Sequence, residues 1–123
     1  MRPPWWLPFG AVPELAAREL AVTLGGAGTP VLLDVRTTAE FEAGHIEGAI
    51  NVPVTSLAAS LPQLQLDPAR PVVAICLTAH RSIPAVRLLR GHGLDARQLK
   101  GGMLAWRAAG LPESGRPAAT GRG

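Results

Sequence analysis

Cys76 is the only cysteine in the 123-residue chain, and it stands where an apolar run ends. Val72-Val73-Ala74-Ile75 precedes it, and Leu77-Thr78-Ala79-His80-Arg81-Ser82 follows. A cysteine kept for packing belongs inside such a run, because an unpaired thiol behaves as a small hydrophobe. Set at the exit, with an arginine following, it is placed for nucleophilic chemistry. A turn from a strand into a helix directs backbone N–H groups inward, and the helix start adds a positive partial charge. A sulfur held there is stabilised as the thiolate, the form that attacks. Leu77 to Ser82 supply the amides, and Arg81 supplies a permanent cation. The loop thus activates Cys76 and offers donors to any anionic group the sulfur picks up. A single cysteine makes no intramolecular disulfide, no Cys-based metal cluster and no dithiol pair. Whatever Cys76 acquires must therefore pass to an acceptor outside the chain, and no metal or organic cofactor is implied.

The elements that build this turn are legible on either side of it. From Pro13, PELAARELAVTLGG predicts an amphipathic helix with proline and glutamate in its first turn and Gly25-Gly26 at its end. PVLLDVR is short and apolar and follows a Gly-Thr-Pro turn, which predicts a buried strand. TTAEFEAGH carries Thr37 and Glu40 at capping-box spacing and Gly44 as a stop, which predicts a helix. GAINVP predicts a second short strand ended by Pro53, and TSLAASLPQLQL a helical segment opened by Thr55 or Ser56 and interrupted by Pro62. PVVAIC is the most strand-like run of all, being short, β-branched and bounded by Pro71. SIPAVRLLRGHG predicts a helix capped by Ser82, with Pro84 tolerated in its first turn. ARQLKGG predicts a short edge strand, and MLAWRAAG a last helix stopped by Gly110 and Pro112. Strands alternating with helices imply an α/β domain whose mostly parallel central sheet is flanked by helices on both faces. Ligands of such sheets bind beyond the carboxyl ends of the strands, which is where Cys76 falls.

Composition sets the remaining bounds. A hydrophobic fraction of 47% and a charged fraction of 17% fit one globular domain with a sizeable core. The domain is expected over residues 13–112, after an irregular lead-in at 1–12 in which Trp5, Trp6 and Phe9 pack against it. The Gly-, Pro-, Ala- and Arg-rich stretch 113–123 is expected to be disordered. No apolar run approaches the roughly 18 residues of a membrane helix. MRPPWWLPFG is broken by prolines and has no signal-peptide core, so a cytoplasmic location without a membrane partner is expected. The net charge is +3, with the arginines scattered and Lys100 the single lysine. That distribution speaks against nucleic-acid binding and suits a small anionic substrate.

Taken together, the stretches VLLDVRTTAEFEAGHIEGAINVPVTSL, VVAICLTAHRS and LKGGMLAWRAAGLP resemble a single-domain rhodanese, a sulfurtransferase. The likeness runs from Pro13 to Pro112. Asp34-Val35-Arg36, Glu40-Phe41, Gly44-His45-Ile46 and Ala49 to Pro53 match the family's N-terminal motif, and Gly101-Gly102 with Trp106 match its C-terminal one. The resemblance implies a rhodanese-like fold in which Cys76 accepts a sulfane sulfur and becomes a persulfide. It makes Leu77, Thr78, Ala79, His80 and Arg81 the cradle that holds the persulfide and the donor anion. Asp34, Arg36 and Ser82 would support that loop from behind, and His45 would be structural. The implied partners are a small anionic sulfur donor, such as thiosulfate or a persulfide, and a thiophilic acceptor, cyanide or a free or protein-borne thiol. One position departs from the family. Many members have glycine where this chain has Ala79, a site that favours glycine's conformational freedom.

The spacing of the loop separates the nearest rival. Related cysteine phosphatases use Cys-x5-Arg, a loop that fits a tetrahedral phosphate, whereas four residues lie between Cys76 and Arg81 here. The smaller cradle fits a persulfide sulfur and disfavours a phosphatase or arsenate reductase. Two alternatives without independent turnover are a binding module that keeps the fold but lacks the chemistry, and a sulfur relay to a protein partner. Retention of both Cys76 and Arg81 argues against the first.

Overall fold

The computed structural model describes residues 12–26 and 28–115, so the lead-in with Trp5, Trp6 and Phe9 and the end of the tail lie outside the described residues. The short apolar runs form the centre of the sheet. They are β2 (Val31–Asp34) and β4 (Val72–Ile75), paired in parallel from Val31↔Val72 to Asp34↔Ile75. Around them in chain order come β1 (Glu14–Leu15), α1 (Ala17–Thr23), α2 (Thr38–Ala43) and β3 (Ile50–Asn51). After a 3-10 turn at Val54–Ser56 follow α3 (Leu57–Leu64), α4 (Ser82–Gly91), β5 (Ala96–Leu99) and α5 (Gly102–Ala108). The five strands lie in the order β1-β5-β4-β2-β3, every pairing parallel.

Both faces of the sheet are covered, which is why β4 is apolar throughout instead of alternating. Leu33, Val72, Ala74 and Cys76 face one layer, with Leu57 of α3 and Ala85, Val86 and Leu89 of α4. Leu32, Val73 and Ile75 face the other, with Leu20 of α1 and Met103 and Trp106 of α5. Each such fully buried aliphatic side chain contributes about 1.5–3 kcal/mol. Cys76 continues the α4-facing register of Val72 and Ala74, so the fold aims its sulfur at the start of α4.

Four expectations from the sequence are corrected. The helix expected from Pro13 starts at Ala17, because Glu14-Leu15 pair with Gln98-Leu99 as a strand. Two backbone bonds, from Gln98 to Pro13 (2.9 Å) and from Lys100 to Leu15 (3.0 Å), outweigh the local helical preference. The same pairing makes β5 an inner strand, not an edge. Pro62 lies inside α3 without interrupting it, giving up only the one bond that a residue there would donate to Ala58 O. Finally, residues 113–115, expected within a disordered tail, are held in place. His45 and Ser114 exchange backbone hydrogen bonds of 2.8 and 2.7 Å, and Arg107 pairs with Glu113. No helix among the described residues is long and apolar enough to cross a membrane.

Candidate active site

Cys76 leaves the sheet one residue past Ile75, whose carbonyl accepts the last ladder bond from Val35 N–H at 2.8 Å. The exit is then held from the far side. Met103 N–H donates to Cys76 O (2.8 Å) and Leu104 N–H to Leu77 O (3.1 Å), so the first turn of α5 fastens Cys76 and the residue after it. Gly101 and Gly102 make this approach possible. A Cβ on Gly102 would stand 2.3 Å from Cys76 O and 2.5 Å from both Leu77 C and Leu77 O, backbone atoms with no room to yield. At φ +60° Gly102 also occupies the left-handed region that glycine adopts most readily.

The sulfur lies in a small polar cage inside an apolar layer. Cys76 is 1% exposed. Ala79 N–H donates to its Sγ at 2.9 Å, and the thiol donates to Ser82 Oγ at 3.5 Å. The loop achieves the first contact by turning at Ala79, whose φ is +88°. The conformation anticipated for glycine at this position is present, and alanine adopts it. Ser82 is not the helix cap expected of it. Arg81 takes the cap position without a side-chain capping bond, and the buried Ser82 hydroxyl turns inward to donate to Gln98 Oε1 at 2.6 Å. Gln98 Nε2 in turn donates to Glu14 Oε2 at 2.8 Å.

The other cradle residues divide by position. Leu77 is half-buried and packs with the Trp106 layer. Thr78 and His80 are exposed at the mouth, joined through Thr78 Oγ1 and His80 Nδ1 at 3.0 Å. Arg81 is gripped by Glu40 through two parallel bonds, Nη1 to Oε1 at 2.7 Å and Nη2 to Oε2 at 2.9 Å. That fork, helped by the Thr37 backbone N–H, lowers the Glu40 carboxyl from 4.5 to about 2. The same hydrogen bonding to Glu40 raises Arg81. Glu40 is also the N3 residue of the capping box expected at α2, accepting from Thr37 N at 3.0 Å. One carboxylate therefore ties the start of α2 to the end of the cradle.

Asp34 and Arg36 stand beside the loop without a hydrogen bond to it. Both are buried, closed on each other by Nε–Oδ1 (2.9 Å) and Nη2–Oδ2 (2.8 Å) bonds. Arg36 also donates to Gly44 O at 2.7 Å, and Asn51 Nδ2 bridges the carbonyls of Asp34 and Arg36 at 3.0 Å each. The pair locks the turn after β2, the strand against which β4 lies, so it stiffens the floor of the site. His45 is structural: its ring stacks on Phe41 with centroids 3.7 Å apart, and Nδ1 lies 2.7 Å from Phe41 O.

Sequence reasoning passed over Glu40 as a partner of Arg81, gave Gln98 no role, and read Glu14 only as part of a helix's first turn. The signal for Gln98 was a polar residue sharing the α4-facing register of Ala96 in an otherwise well-buried strand.

Comparison with known proteins identifies the family. The family described as Rhodanese-like domain matches residues 16–109. An HTH-type transcriptional regulator of Mycobacterium tuberculosis is 46% identical over 94 residues, covering 74% of this chain and 41% of the regulator. A sulfurtransferase of Allochromatium vinosum is 31% identical over 102 residues, covering 82% of this chain and 94% of that protein. Among solved structures, a thiosulfate sulfurtransferase from Pseudomonas aeruginosa superposes with a TM-score of 0.76 at 30% identity, over 90% of this chain and 21% of that one. The chain thus spans under half the length of the regulator and about a fifth of the thiosulfate enzyme.

Proposed function

Because the chain belongs to the rhodanese-like domain family, whose members matched here include sulfurtransferases, we propose that it moves a sulfane sulfur through a Cys76 persulfide. The observation that carries this reading is the Ala79 N–H aimed at the buried Cys76 sulfur, 2.9 Å away, at the carboxyl end of β4. The Cys76 thiolate attacks the outer sulfur of the donor. A sulfur–sulfur bond forms, the donor's own bond to that sulfur breaks, and the donor departs as sulfite or as a thiolate with the electron pair. The acceptor, cyanide or a thiol, then attacks the outer sulfur, and Cys76 leaves as thiolate. Ala79 N–H is the loop amide that reaches the sulfur; in this reading Leu77, Thr78, His80 and Arg81 complete the cradle for the anionic donor, while Asp34, Arg36 and Ser82 keep the loop in shape. Glu40 offsets much of the charge of Arg81, which favours an alkyl persulfide, with at most one charge at its reacting sulfurs, over the thiosulfate dianion. A cytoplasmic setting, where thiols are plentiful acceptors, fits the one free cysteine.

A second reading, a module that serves a protein partner without turnover of its own, is favoured by the likeness to a transcriptional regulator. Initial rates with cyanide as acceptor and either thiosulfate or glutathione persulfide as donor separate the two. The sulfurtransferase reading predicts parallel double-reciprocal lines, as a covalent intermediate requires, and faster turnover with the persulfide. Absence of turnover with every sulfane donor would leave the module, and hydrolysis of an aryl phosphate would point to phosphatase chemistry.

A further inference from the structure

We propose that Gln98 and Glu14 are positioning residues that set the direction of the hydrogen bonds reaching the Cys76 sulfur. The chain Cys76–Ser82–Gln98–Glu14 crosses from the cradle over β5 to the edge strand β1, with separations of 3.5, 2.6 and 2.8 Å. Its far end fixes its direction. A carboxylate only accepts, so Glu14 takes the amide N–H of Gln98 and turns the amide carbonyl toward Ser82. The Ser82 proton is then committed to that carbonyl. What Ser82 presents to sulfur is a lone pair, which accepts the S–H of Cys76.

The sulfur therefore lies between one donor and one acceptor. Ala79 N–H stabilises the thiolate, whereas Ser82 oriented in this way stabilises the thiol. Once Cys76 is a thiolate or a persulfide, its Sγ has no proton to give, and the Ser82 lone pair faces sulfur lone pairs. Turning the hydroxyl to donate to sulfur would strand the Gln98 carbonyl, buried with its residue at 5% exposure, unless the amide also turned. The Glu14 carboxylate opposes that turn, because it would then meet a carbonyl oxygen. A surface residue two strands away thus sets which way Ser82 faces the Cys76 sulfur.

The other charged groups around the sulfur are Arg81 in the loop, with Glu40 of α2 behind it, and the exposed His80. The closed Asp34–Arg36 pair lies on β2. None of them belongs to the chain of bonds, so they set a common baseline for the variants.

The inference rests on Cys76 as the reacting group, but a thiol titration reads the network whether or not any sulfur donor is accepted. Thiolate absorbance at 240 nm, followed against pH on the full chain, is free of tyrosinate background because the sequence has no tyrosine. Gln at position 14 has an N–H₂ to give, so Glu14→Gln lets the Gln98 amide reverse and frees Ser82 to donate to sulfur. The expected result is a midpoint roughly 0.5–1 pH unit lower, or about 3- to 10-fold more thiolate below it. Removing a negative charge would by itself push in the same direction, so the cycle is closed with Ser82→Ala, or with Gln98→Met if that variant does not fold. In either background Glu14→Gln should move the midpoint far less, by the through-space effect of the lost charge alone. An unmoved midpoint in the single variant, or an equal shift with the chain already broken, would overturn the proposal.

Discussion

Ala79 is held at φ +88°, a conformation in which the Cβ of an L-residue crowds the following carbonyl. Replacing it with glycine removes about 1–2 kcal/mol of that strain. Against this, glycine loosens the unfolded chain, at about 0.4–1 kcal/mol. The half-buried methyl, packed against the α4-facing layer, gives up about 0.4 kcal/mol more, half of a fully buried carbon's share. The balance is a gain of about 0.4 kcal/mol, or roughly 1.5–2 °C in melting temperature for a domain of this size. The N–H that reaches the sulfur is backbone and survives the change, so Ala79→Gly should keep the thiol where it is. Ala79→Val provides the opposite sign, because a β-branched residue at positive φ is strained further, and it should lose about 1–2 kcal/mol. Urea unfolding, followed by the fluorescence of the buried Trp106, measures both. A glycine variant less stable than the parent by more than about 1 kcal/mol, or a neutral valine variant, would refute the argument from backbone strain.

Three further outcomes are expected. Gly102→Ala, which drives a Cβ to 2.3 Å from Cys76 O, should cost about 3 kcal/mol or more through two lost hydrogen bonds and left-handed strain; urea unfolding as stable as the parent's would contradict this. Glu40 is depressed in the folded state, from 4.5 to about 2, so its pairing with Arg81 stabilises the fold above pH 4.5 and is lost as pH falls toward 2. Both side chains are about a third exposed, which reduces the effect to about 1 kcal/mol, and Glu40→Gln should flatten the dependence of stability on pH within that window. Arg36→Met leaves the Asp34 carboxylate buried without its cation and should cost about 3–5 kcal/mol in chemical denaturation.

Cys76 and its loop were legible because their signals are local: an apolar run, its exit, a counted spacing and a helix start. The capping box of Thr37 and Glu40 was legible for the same reason, three residues apart. What the sequence did not reveal lies between distant segments. Glu14-Leu15 is too short to show a strand period and becomes one only by pairing with β5, which makes β5 an inner strand. Ser82 carries the right chemistry for a cap, yet a buried acceptor on β5 draws its hydroxyl inward. Arg81 and Glu40 are 41 positions apart, and Gln98 and Glu14 are 84 apart, so each pairing is a product of the fold. Ala79 is the instructive exception. A mismatch visible in the sequence marked the one loop residue that the structure strains and whose amide meets the sulfur.

The central claim is that Cys76 carries the transferred sulfur, and intact mass spectrometry tests it most directly. After incubation with glutathione persulfide or thiosulfate, the chain should gain the mass of one sulfur atom, lose it on treatment with cyanide, and show no gain as Cys76→Ser. A chain that stays at its starting mass with both donors, or a serine variant that gains the same mass, would contradict it.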